Sequence, residues 1–150
     1  MDLKPILLVE DSNNDIELIL AVLTEINLAR EVVVVQDGEQ ALDYLYQRGN
    51  FSQRQSGNPV VVILDLKLPK IDGFEVIQQI KSDPRLKVIP VVVLTSSQQE
   101  QDLLKSYDLG INSYVVKPID FPDFVEAIKK IGVFWGLINH PPLVIPTGTL

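Results

Sequence analysis

Carboxylate side chains follow apolar segments at two places in the 150-residue chain. Glu10 and Asp11 come directly after one apolar run, and Asp65 ends another. Carboxylate oxygens without sulfur or nitrogen ligands are the donor set of a hard octahedral cation such as Mg²⁺. The chain has no cysteine, and its one histidine, His140, lies in a Pro-rich tail. Asp11 alone would fit a helix cap better than a ligand, but Asp65 at the end of an apolar run favours a metal site.

A hydroxyl and an ammonium group follow two further apolar runs. Thr95 ends one run, and Lys117 comes directly after another. Both groups can hold an anionic oxygen, and beside carboxylates and a metal they suit phosphoryl transfer, which depends on positioning and charge neutralisation. Taken singly, Thr95 could reflect β-propensity and Lys117 a structural ion pair. Taken together at strand ends of one fold, these residues indicate a site.

The apolar runs predict the elements that must position these side chains. Most runs are β-branched and apolar at every position, which is typical of strands buried on both faces of a parallel sheet. Segments with helical spacing separate them, so the sequence predicts five βα units in a doubly wound α/β sheet. In such sheets ligands bind at the carboxyl ends of the strands. The strands are predicted at 6–10, 32–35, 60–64, 90–94 and 113–116.

Capping residues predict where the helices begin and end. Ser12 with Asp15 forms a predicted cap, Ser97 with Glu100 has capping-box form, and Asp37 is a third cap. The first helix is predicted to be capped by Ser12 and to include 16–23. The other helices are predicted to run from Asp37 to Gly49, from about Gly73 to Lys81, from Ser97 to near Gly110, and from about Asp120 to Ile138.

An ordered set of short motifs resembles the response-regulator receiver domain of two-component signalling. The motifs are Val9-Glu10-Asp11, Asp65-Leu66-Lys67-Leu68-Pro69, Asp72-Gly73, Thr95-Ser96 and Lys117-Pro118, and the similarity covers about residues 5–131. Each motif is weak alone, but the ordered set is highly specific. The resemblance implies a flavodoxin-like fold with five helices and strand order 2-1-3-4-5. It also implies a phosphoacceptor that assists its own phosphorylation and dephosphorylation, not an enzyme with a separate turnover substrate.

The resemblance further implies a role for each matching residue. Asp65 resembles the phosphoacceptor, and Lys117 the group that contacts the phosphoryl oxygens. Asp11 and Asp65 resemble direct Mg²⁺ ligands, and Glu10 a ligand that acts through water. The backbone carbonyl of Lys67 is implied as the remaining protein ligand. The implied phosphoryl donor is a phosphohistidine on a sensor histidine kinase.

Thr95 and Tyr114 match the switching pair of the same family. The implied motion takes Thr95 toward a phosphoryl oxygen and turns Tyr114 into the vacated space, which biases a surface formed by helix four, strand five and helix five. An ordinary half-buried strand aromatic is the alternative interpretation of Tyr114. The resemblance also implies a cis bond between Lys117 and Pro118. We expect the side chain of Lys67, two residues beyond the acceptor, to tune hydrolysis of the phosphoryl group.

The composition and the chain ends predict the domain organisation. A receiver domain is predicted at 1–138, with a polar insertion at about 49–59 and an extended last helix, followed by a Pro-rich tail at 139–150. The formal net charge of −7 argues against a nucleic-acid partner. No apolar run reaches the roughly 18 residues of a membrane helix, and the first residues show no signal-peptide pattern. We therefore expect a cytoplasmic protein with no membrane partner.

The last helix and the insertion predict the protein's partners. The insertion together with Phe134-Trp135 resembles single-domain regulators paired with cyanobacterial phytochrome kinases, which implies a phytochrome-type kinase. Apolar residues on several faces of the last helix predict a homodimer through that helix and the C-terminal extension. Alternatively, Leu143 to Ile145 fold back over them.

Two other classes of protein compete with the receiver interpretation. A pseudo-receiver keeps the fold and binds partners without phosphorylation, but it usually lacks part of the acid set or the lysine. A phosphatase or phosphotransferase would use Asp65 as nucleophile on small substrates, but it typically carries an acid where this chain has Lys67.

Overall fold

Strands and helices alternate along residues 4–26, 31–111 and 113–130, the parts of the chain that this computed structural model describes. The strands are β1 (Ile6–Val9), β2 (Val32–Val35), β3 (Val61–Asp65), β4 (Val91–Thr95) and β5 (Ser113–Val116). The helices are α1 (Asn13–Glu25), α2 (Gly38–Leu45), α3 (Gly73–Ser82), α4 (Gln98–Ser106) and α5 (Phe121–Lys130).

The five described strands form one parallel sheet in the order β2-β1-β3-β4-β5. This confirms the predicted doubly wound fold and its strand order. Successive strand residues point to opposite faces, so the apolar runs supply two cores at once. One core packs against α2, α3 and α4, and the other against α1 and α5. Burial on both faces is the reason why the central strands β1, β3 and β4 are apolar up to their carboxyl ends.

The strand register brings the polar residues to one edge of the sheet. Asp65 pairs with Leu94, and Thr95 pairs with Val116, so both polar residues lie at the carboxyl ends of their strands. β3 and β4 each begin and end one residue later than predicted. The reason is that the hydrogen bonds between strands continue as far as the polar edge, where the N–H of Lys117 donates to the carbonyl of Thr95 at 2.8 Å. β1 ends one residue earlier than predicted, and Glu10 follows it.

The predicted caps are confirmed. The side chains of Ser12, Asp37 and Ser97 each accept the backbone N–H of the residue three positions further on. Asp72 does the same at the start of α3. Each such cap stabilises a helix start by about 1 kcal/mol. The chain therefore enters four helices directly after the sheet edge that carries the polar residues.

Two helix ends were predicted wrongly. α2 ends at Leu45 and not at Gly49, because Gln47 adopts a left-handed conformation with φ 53° and turns the chain. Gly49 instead begins a short 3-10 helix, Gly49–Phe51. α4 ends at Ser106 and not near Gly110. There Asp108, a residue type that tolerates the left-handed region, has φ 51°.

The polar insertion is held by Arg54. Its Nε donates to the carbonyl of Tyr44 at 2.7 Å, and its Nη1 donates to the carbonyls of Gln55 and Gly57 at 2.6 and 3.0 Å. The guanidinium carbon also lies 4.1 Å from the centre of the Tyr44 ring. The insertion is therefore fastened to the last turns of α2.

The start of α3 packs closely on the end of β3. The N–H of Gly73 donates to the carbonyl of Leu66 at 2.8 Å. A Cβ at position 73 would overlap with the carbonyl oxygen of Asp65, so only glycine fits here. The next residue, Phe74, contacts the ring of Tyr107 edge to face, with 4.8 Å between centroids.

The last described helix, α5, covers the first part of the predicted segment. Phe124 and Ile128 of α5 are buried against the sheet. The predicted continuation to Ile138, the residues of the predicted dimer contact and the tail at 139–150 lie outside the described residues. None of the described helices is long and apolar enough to cross a membrane.

Candidate functional site

Three carboxylates meet at the carboxyl edge of the sheet, as predicted. Glu10, Asp11 and Asp65 each place one oxygen within 4.8 Å of the others. Glu10 and Asp65 are buried, whereas Asp11 is exposed. The cluster is therefore open to solvent on the side of Asp11 and closed by the sheet on the other. This geometry suits a cation that keeps some of its water ligands.

The ammonium of Lys117 lies among these carboxylates. Its Nζ is 2.9 Å from Oε1 of Glu10, 2.9 Å from Oδ2 of Asp15 and 3.2 Å from Oδ2 of Asp65. The peptide bond between Lys117 and Pro118 is cis, as the family resemblance implied. The structure thus brings together Glu10, Asp65 and Lys117 and adds Asp15, to which the sequence analysis gave only a capping role.

The charges of the cluster shift the titration of its members. Burial, aided by the charge of Asp65, raises the pKa of Glu10 to about 7, although Lys117 and the N–H of Ser12 oppose the shift. Burial lowers the pKa of Lys117, but the nearby carboxylates of Asp15, Glu10 and Asp65 raise it more, so the net shift is upward. Lys117 is therefore a cation at neutral pH, and the cluster holds more carboxylates than cations.

A divalent cation fits this donor set. Oε2 of Glu10 accepts the N–H of Ser12 at 3.1 Å, whereas the buried Oε1 pairs with the charge of Lys117 but has no hydrogen bond from the described residues. A buried polar atom without a hydrogen bond is unusual in a native protein. All the available donors are carboxylate oxygens, the ligands that Mg²⁺ prefers. The residues present therefore fit the predicted Mg²⁺.

Thr95 lies at the same edge, but its hydroxyl contacts Glu100 and Ser97. Oγ1 of Thr95 lies 2.8 Å from both Oε1 of Glu100 and the carbonyl of Ser97, and it accepts the N–H of Ser97 at 3.2 Å. The hydroxyl makes no hydrogen bond to Asp65 in the described chain. Of the predicted catalytic residues, Asp65 and Lys117 are therefore in contact, and Thr95 is adjacent but bonded elsewhere.

Lys67 also points toward α4. Its Nζ lies 3.6 Å from Oε2 of Glu100, and its side chain is 74% exposed. Its backbone N–H donates to Oδ1 of Asp65 at 3.4 Å, so the acceptor carboxylate and the start of the following loop are joined. The side chain is within reach of the site but is not fixed in it.

Tyr114 is half-buried in β5, as either interpretation of this residue requires. Its ring packs against the core beneath α2–α4, and the ammonium of Lys105 lies 5.6 Å from the ring centre. Burial raises the pKa of its hydroxyl. Its role in switching stays a prediction.

Two site residues were missed by the sequence analysis as functional groups: Asp15 and Glu100. Both were identified only as partners of capping serines. Each occupies the third position of a serine-capped helix, and each carboxylate reaches across to a lysine of the site. The signal was present in the sequence, because both helices begin at the functional edge of the sheet and their first turns face it.

The fold and these side chains define a flavodoxin-like α/β protein with an acidic, lysine-bearing site at the carboxyl ends of its strands. A family profile described as the response regulator receiver domain matches residues 6–129. The chain belongs to this family.

Similar proteins agree with this assignment. The response regulator Rcp1 of Synechocystis is 42% identical over 88% of this chain and 88% of its own length. A structure of its Mn²⁺-bound form covers 96% of this chain and 99% of that chain, with 40% identity and a TM-score of 0.72. The bacteriophytochrome response regulator RtBRR is 57% identical, covers 94% of this chain and 85% of that chain, and has a TM-score of 0.86. The phosphorylated cyanobacterial phytochrome response regulator RcpA is 42% identical, covers 97% of this chain and 100% of that chain, and has a TM-score of 0.73.

Proposed function

We propose that this chain is a response regulator that accepts a phosphoryl group on Asp65 from a sensor histidine kinase, with Mg²⁺, and signals through a protein surface that phosphorylation switches. The main observation that supports the proposal is the environment of the Asp65 carboxylate. Its carboxylate is buried at the end of β3, near Glu10 and Asp11 and 3.2 Å from the ammonium of Lys117. Membership of the receiver family supports the same role.

The transfer forms a bond between a carboxylate oxygen of Asp65 and the phosphorus of a phosphohistidine. The bond from phosphorus to the histidine nitrogen breaks, the imidazole leaves with the electron pair, and the product is an acyl phosphate. Lys117 already lies beside Asp65, so it can bind a phosphoryl oxygen with little movement. Thr95 supplies a second donor once its hydroxyl leaves Glu100.

Four residues would hold the metal ion. Asp11 and Asp65 are the proposed direct carboxylate ligands, the carbonyl of Lys67 is the proposed backbone ligand, and Glu10 acts through water. When bound, Mg²⁺ supplies positive charge that lowers the repulsion between the carboxylates and the incoming phosphoryl group. The Mn²⁺-bound form of Rcp1 supports a divalent cation at this kind of site.

Labelling with a small phosphodonor such as acetyl phosphate tests the acceptor. We expect one labile phosphoryl group per chain with Mg²⁺ and none in Asp65→Asn. The matched control is Asp102→Asn, an exposed position on α4, which should label like the parent. Equal labelling of Asp65→Asn, or labelling that survives removal of the metal by a chelator, would contradict the proposal.

The same labelling experiment separates the competing classes. A pseudo-receiver would gain no label, and an enzyme would release product repeatedly from excess donor. We propose that the chain is not an enzyme with a separate turnover substrate. Lys67 supports this, because it stands where such enzymes typically carry a carboxyl group that acts on the leaving group, and its exposed ammonium pairs with Glu100.

We also propose that Thr95 and Tyr114 form the switch. The surface that they would bias carries exposed apolar side chains in the described chain, among them Leu103, Tyr107 and Val116. Thr95→Ala should uncouple partner affinity from phosphorylation, and Thr95→Ser, which keeps the hydroxyl, should preserve the coupling. A Thr95→Ala protein that still changes its partner affinity fully on phosphorylation would exclude this role.

The similar proteins support a phytochrome-type kinase as the partner. RtBRR and RcpA are described as regulators of bacteriophytochrome and phytochrome signalling, respectively. Phosphotransfer profiling against the histidine kinases of the source organism tests this. We expect the fastest transfer from a phytochrome-type kinase, and faster transfer from another sensor kinase would assign a different stimulus.

The remaining predictions concern assembly and location. We propose a cytoplasmic homodimer that forms through the last helix and C-terminal extension and binds neither nucleic acid nor membrane. The net charge of −7 supports the lack of nucleic-acid binding. A sedimentation coefficient that stays that of a monomer at all concentrations would contradict the dimer.

A further inference from the structure

Glu100 joins three parts of the site through one carboxylate. Its Oε1 lies 2.8 Å from the hydroxyl oxygen of Thr95 and accepts the N–H of Ser96 at 2.8 Å. Its Oε2 lies 3.6 Å from Nζ of Lys67. The end of β4, the start of α4 and the loop after Asp65 therefore meet at a single side chain.

The arrangement differs from an ordinary capping box. In a capping box the acid at the third helical position accepts the N–H of the capping residue. Here the N–H of Ser97 donates to the hydroxyl of Thr95 at 3.2 Å, so Glu100 reaches one residue further back, to Ser96. The carboxylate is thereby placed against Thr95 rather than on its own helix.

The carboxylate is ionised at neutral pH. Burial alone would raise its pKa, but the N–H of Ser96, the hydroxyl of Thr95 and the ammonium of Lys67 hold the pKa below its ordinary value. An ionised carboxylate only accepts hydrogen bonds. The contact between Glu100 and Thr95 therefore requires the proton of the threonine hydroxyl.

A threonine hydroxyl has one proton to donate. While this proton lies between Thr95 and Glu100 or the carbonyl of Ser97, it cannot serve an oxygen on Asp65. The ammonium of Lys67 is attracted to the same carboxylate. Both donors that would approach a phosphoryl group from this side are thus engaged by Glu100 in the unphosphorylated protein.

We propose that Glu100 is a positioning residue that holds the Thr95 hydroxyl and the Lys67 ammonium away from Asp65, so that a phosphoryl group must compete with it for both donors. The proposal rests on the proposed phosphorylation of Asp65. The strength of the Glu100 contacts then sets how readily the active conformation forms. Weakening them favours the phosphorylated arrangement even though it removes contacts from the unphosphorylated fold.

Glu100→Gln tests this competition, because the amide keeps the shape of the side chain but loses its charge. Hydrogen bonds to a charged acceptor are roughly twice as strong as neutral ones, so the variant should bind the phosphoryl mimic beryllofluoride with Mg²⁺ about three- to tenfold more tightly. Its midpoint of urea unfolding should fall at the same time. A residue with only a structural role would lower both stability and affinity.

A matched control lies at the start of α3. Glu75 occupies the same third helical position, after the cap Asp72, but its exposed carboxylate contacts neither Thr95 nor Lys67. Glu75→Gln should leave beryllofluoride affinity unchanged. If both variants tighten binding equally, the effect comes from net charge and the proposal is wrong.

A double-mutant cycle locates the effect. In a Thr95→Ala Lys67→Asn background the competing donors are gone, so Glu100→Gln should no longer tighten beryllofluoride binding. An equal gain in that background would overturn the proposal. If the parent protein itself binds no beryllofluoride with Mg²⁺, the proposed phosphorylation fails instead, so the two failures are distinguishable.

A measurement on the unmutated chain covers the case in which the variants fold poorly. The ¹³C resonance of the Glu100 carboxyl group should shift when beryllofluoride and Mg²⁺ are added together, because its hydrogen-bond donors leave. The Glu75 carboxyl resonance should move less. An unchanged Glu100 signal in protein saturated with the mimic would overturn the proposal.

Discussion

Lys117 and Lys67 both lie at the carboxyl edge of the sheet, but their surroundings differ. The side chain of Lys117 is 19% exposed, and its ammonium is within 3.2 Å of the carboxylates of Glu10, Asp15 and Asp65. The side chain of Lys67 is 74% exposed, and its ion pair, with Glu100, has an N–O distance of 3.6 Å. The first lysine is fixed before any phosphoryl group arrives, whereas the second is free to leave its partner.

The two acids that hold these lysines have equivalent positions. Asp15 and Glu100 are each the third residue of a helix whose capping serine accepts their backbone N–H. Asp15 adds to a set of carboxylates that are already close to Lys117, but Glu100 also binds the hydroxyl of Thr95. The carboxylates around Lys117 thus hold its ammonium in a fixed position, whereas Glu100 holds two hydrogen-bond donors that can change partner. The proposed phosphoryl chemistry and the proposed switch therefore both involve the same local motif, an acid at the third position of a serine-capped helix.

Removal of Lys117 should have the largest effect. Lys117→Ala takes away the cation beside buried Glu10, so the free energy of unfolding without metal should fall by about 3 kcal/mol. Phosphorylation by acetyl phosphate should slow by about 100-fold, as when a donor to developing charge is lost. Urea unfolding and labelling rates measure both effects. Added Mg²⁺ should restore part of the stability, because it neutralises the same carboxylates.

The control for this prediction is Lys87→Ala. Lys87 is exposed and has no ion pair within the described chain, so stability and labelling should stay near the parent values. If Lys117→Ala loses the same stability with and without Mg²⁺, the ion and the lysine do not share the carboxylates.

Asp15→Asn should have an intermediate effect. The variant removes one of the charges that fix Lys117, so labelling should slow by about fivefold and the free energy of unfolding should fall by about 1 kcal/mol. Asp123→Asn is the matched control, since the backbone N–H of Asp123 is capped by Asp120 at the start of α5 and its carboxylate makes no ion pair with a lysine of the described residues. Equal slowing in both variants would mean that Asp15 acts only through its helix.

Lys67→Asn should have the smallest effect on stability. An exposed ion pair contributes about 0–1 kcal/mol, so the free energy of unfolding should change by less than about 0.5 kcal/mol. The half-life of the acyl phosphate should shorten by about two- to fivefold, because the ammonium no longer shields it from water. A decay assay after removal of the phosphodonor measures this, and an unaltered half-life would refute the tuning role of Lys67.

The sequence predicted the strands well for a physical reason, whereas their order was implied by the family resemblance. A central parallel strand must be apolar on both faces, and runs such as 60–64 have few other stable placements. The carboxyl edge follows from this, and it brings Glu10, Asp11, Asp65 and Lys117 together. The end of α2 could not be predicted from the local sequence. The chain turns at Gln47, and the hydroxyl of the neighbouring Tyr46 donates at 2.7 Å to Asp83, which is distant in sequence.

The sequence also could not show which residues the side chains of the site contact. A carboxylate at the third position of a capped helix looks the same in sequence whether it binds its own helix or a residue across the site. For Asp15 and Glu100 the choice depends on where Lys117 and Thr95 lie in space. Thr95 lies at the edge of the sheet where the sequence predicted it, but the acceptor of its hydroxyl proton involves Glu100 and could be found only from coordinates.

The close contact of Gly73 with the backbone after β3 has a mechanical consequence. Gly73 lies against the carbonyl of Asp65, and Phe74 follows it onto the ring of Tyr107 at the far end of α4. The N-terminal end of α4 is joined to the loop after β3 through the ion pair of Glu100 and Lys67. While the pair of Glu100 and Lys67 is intact, a displacement of that loop reaches both termini of α4 together. The helix should then slide or tilt as a stiff rod, and its turns should not unwind one after another from a single end.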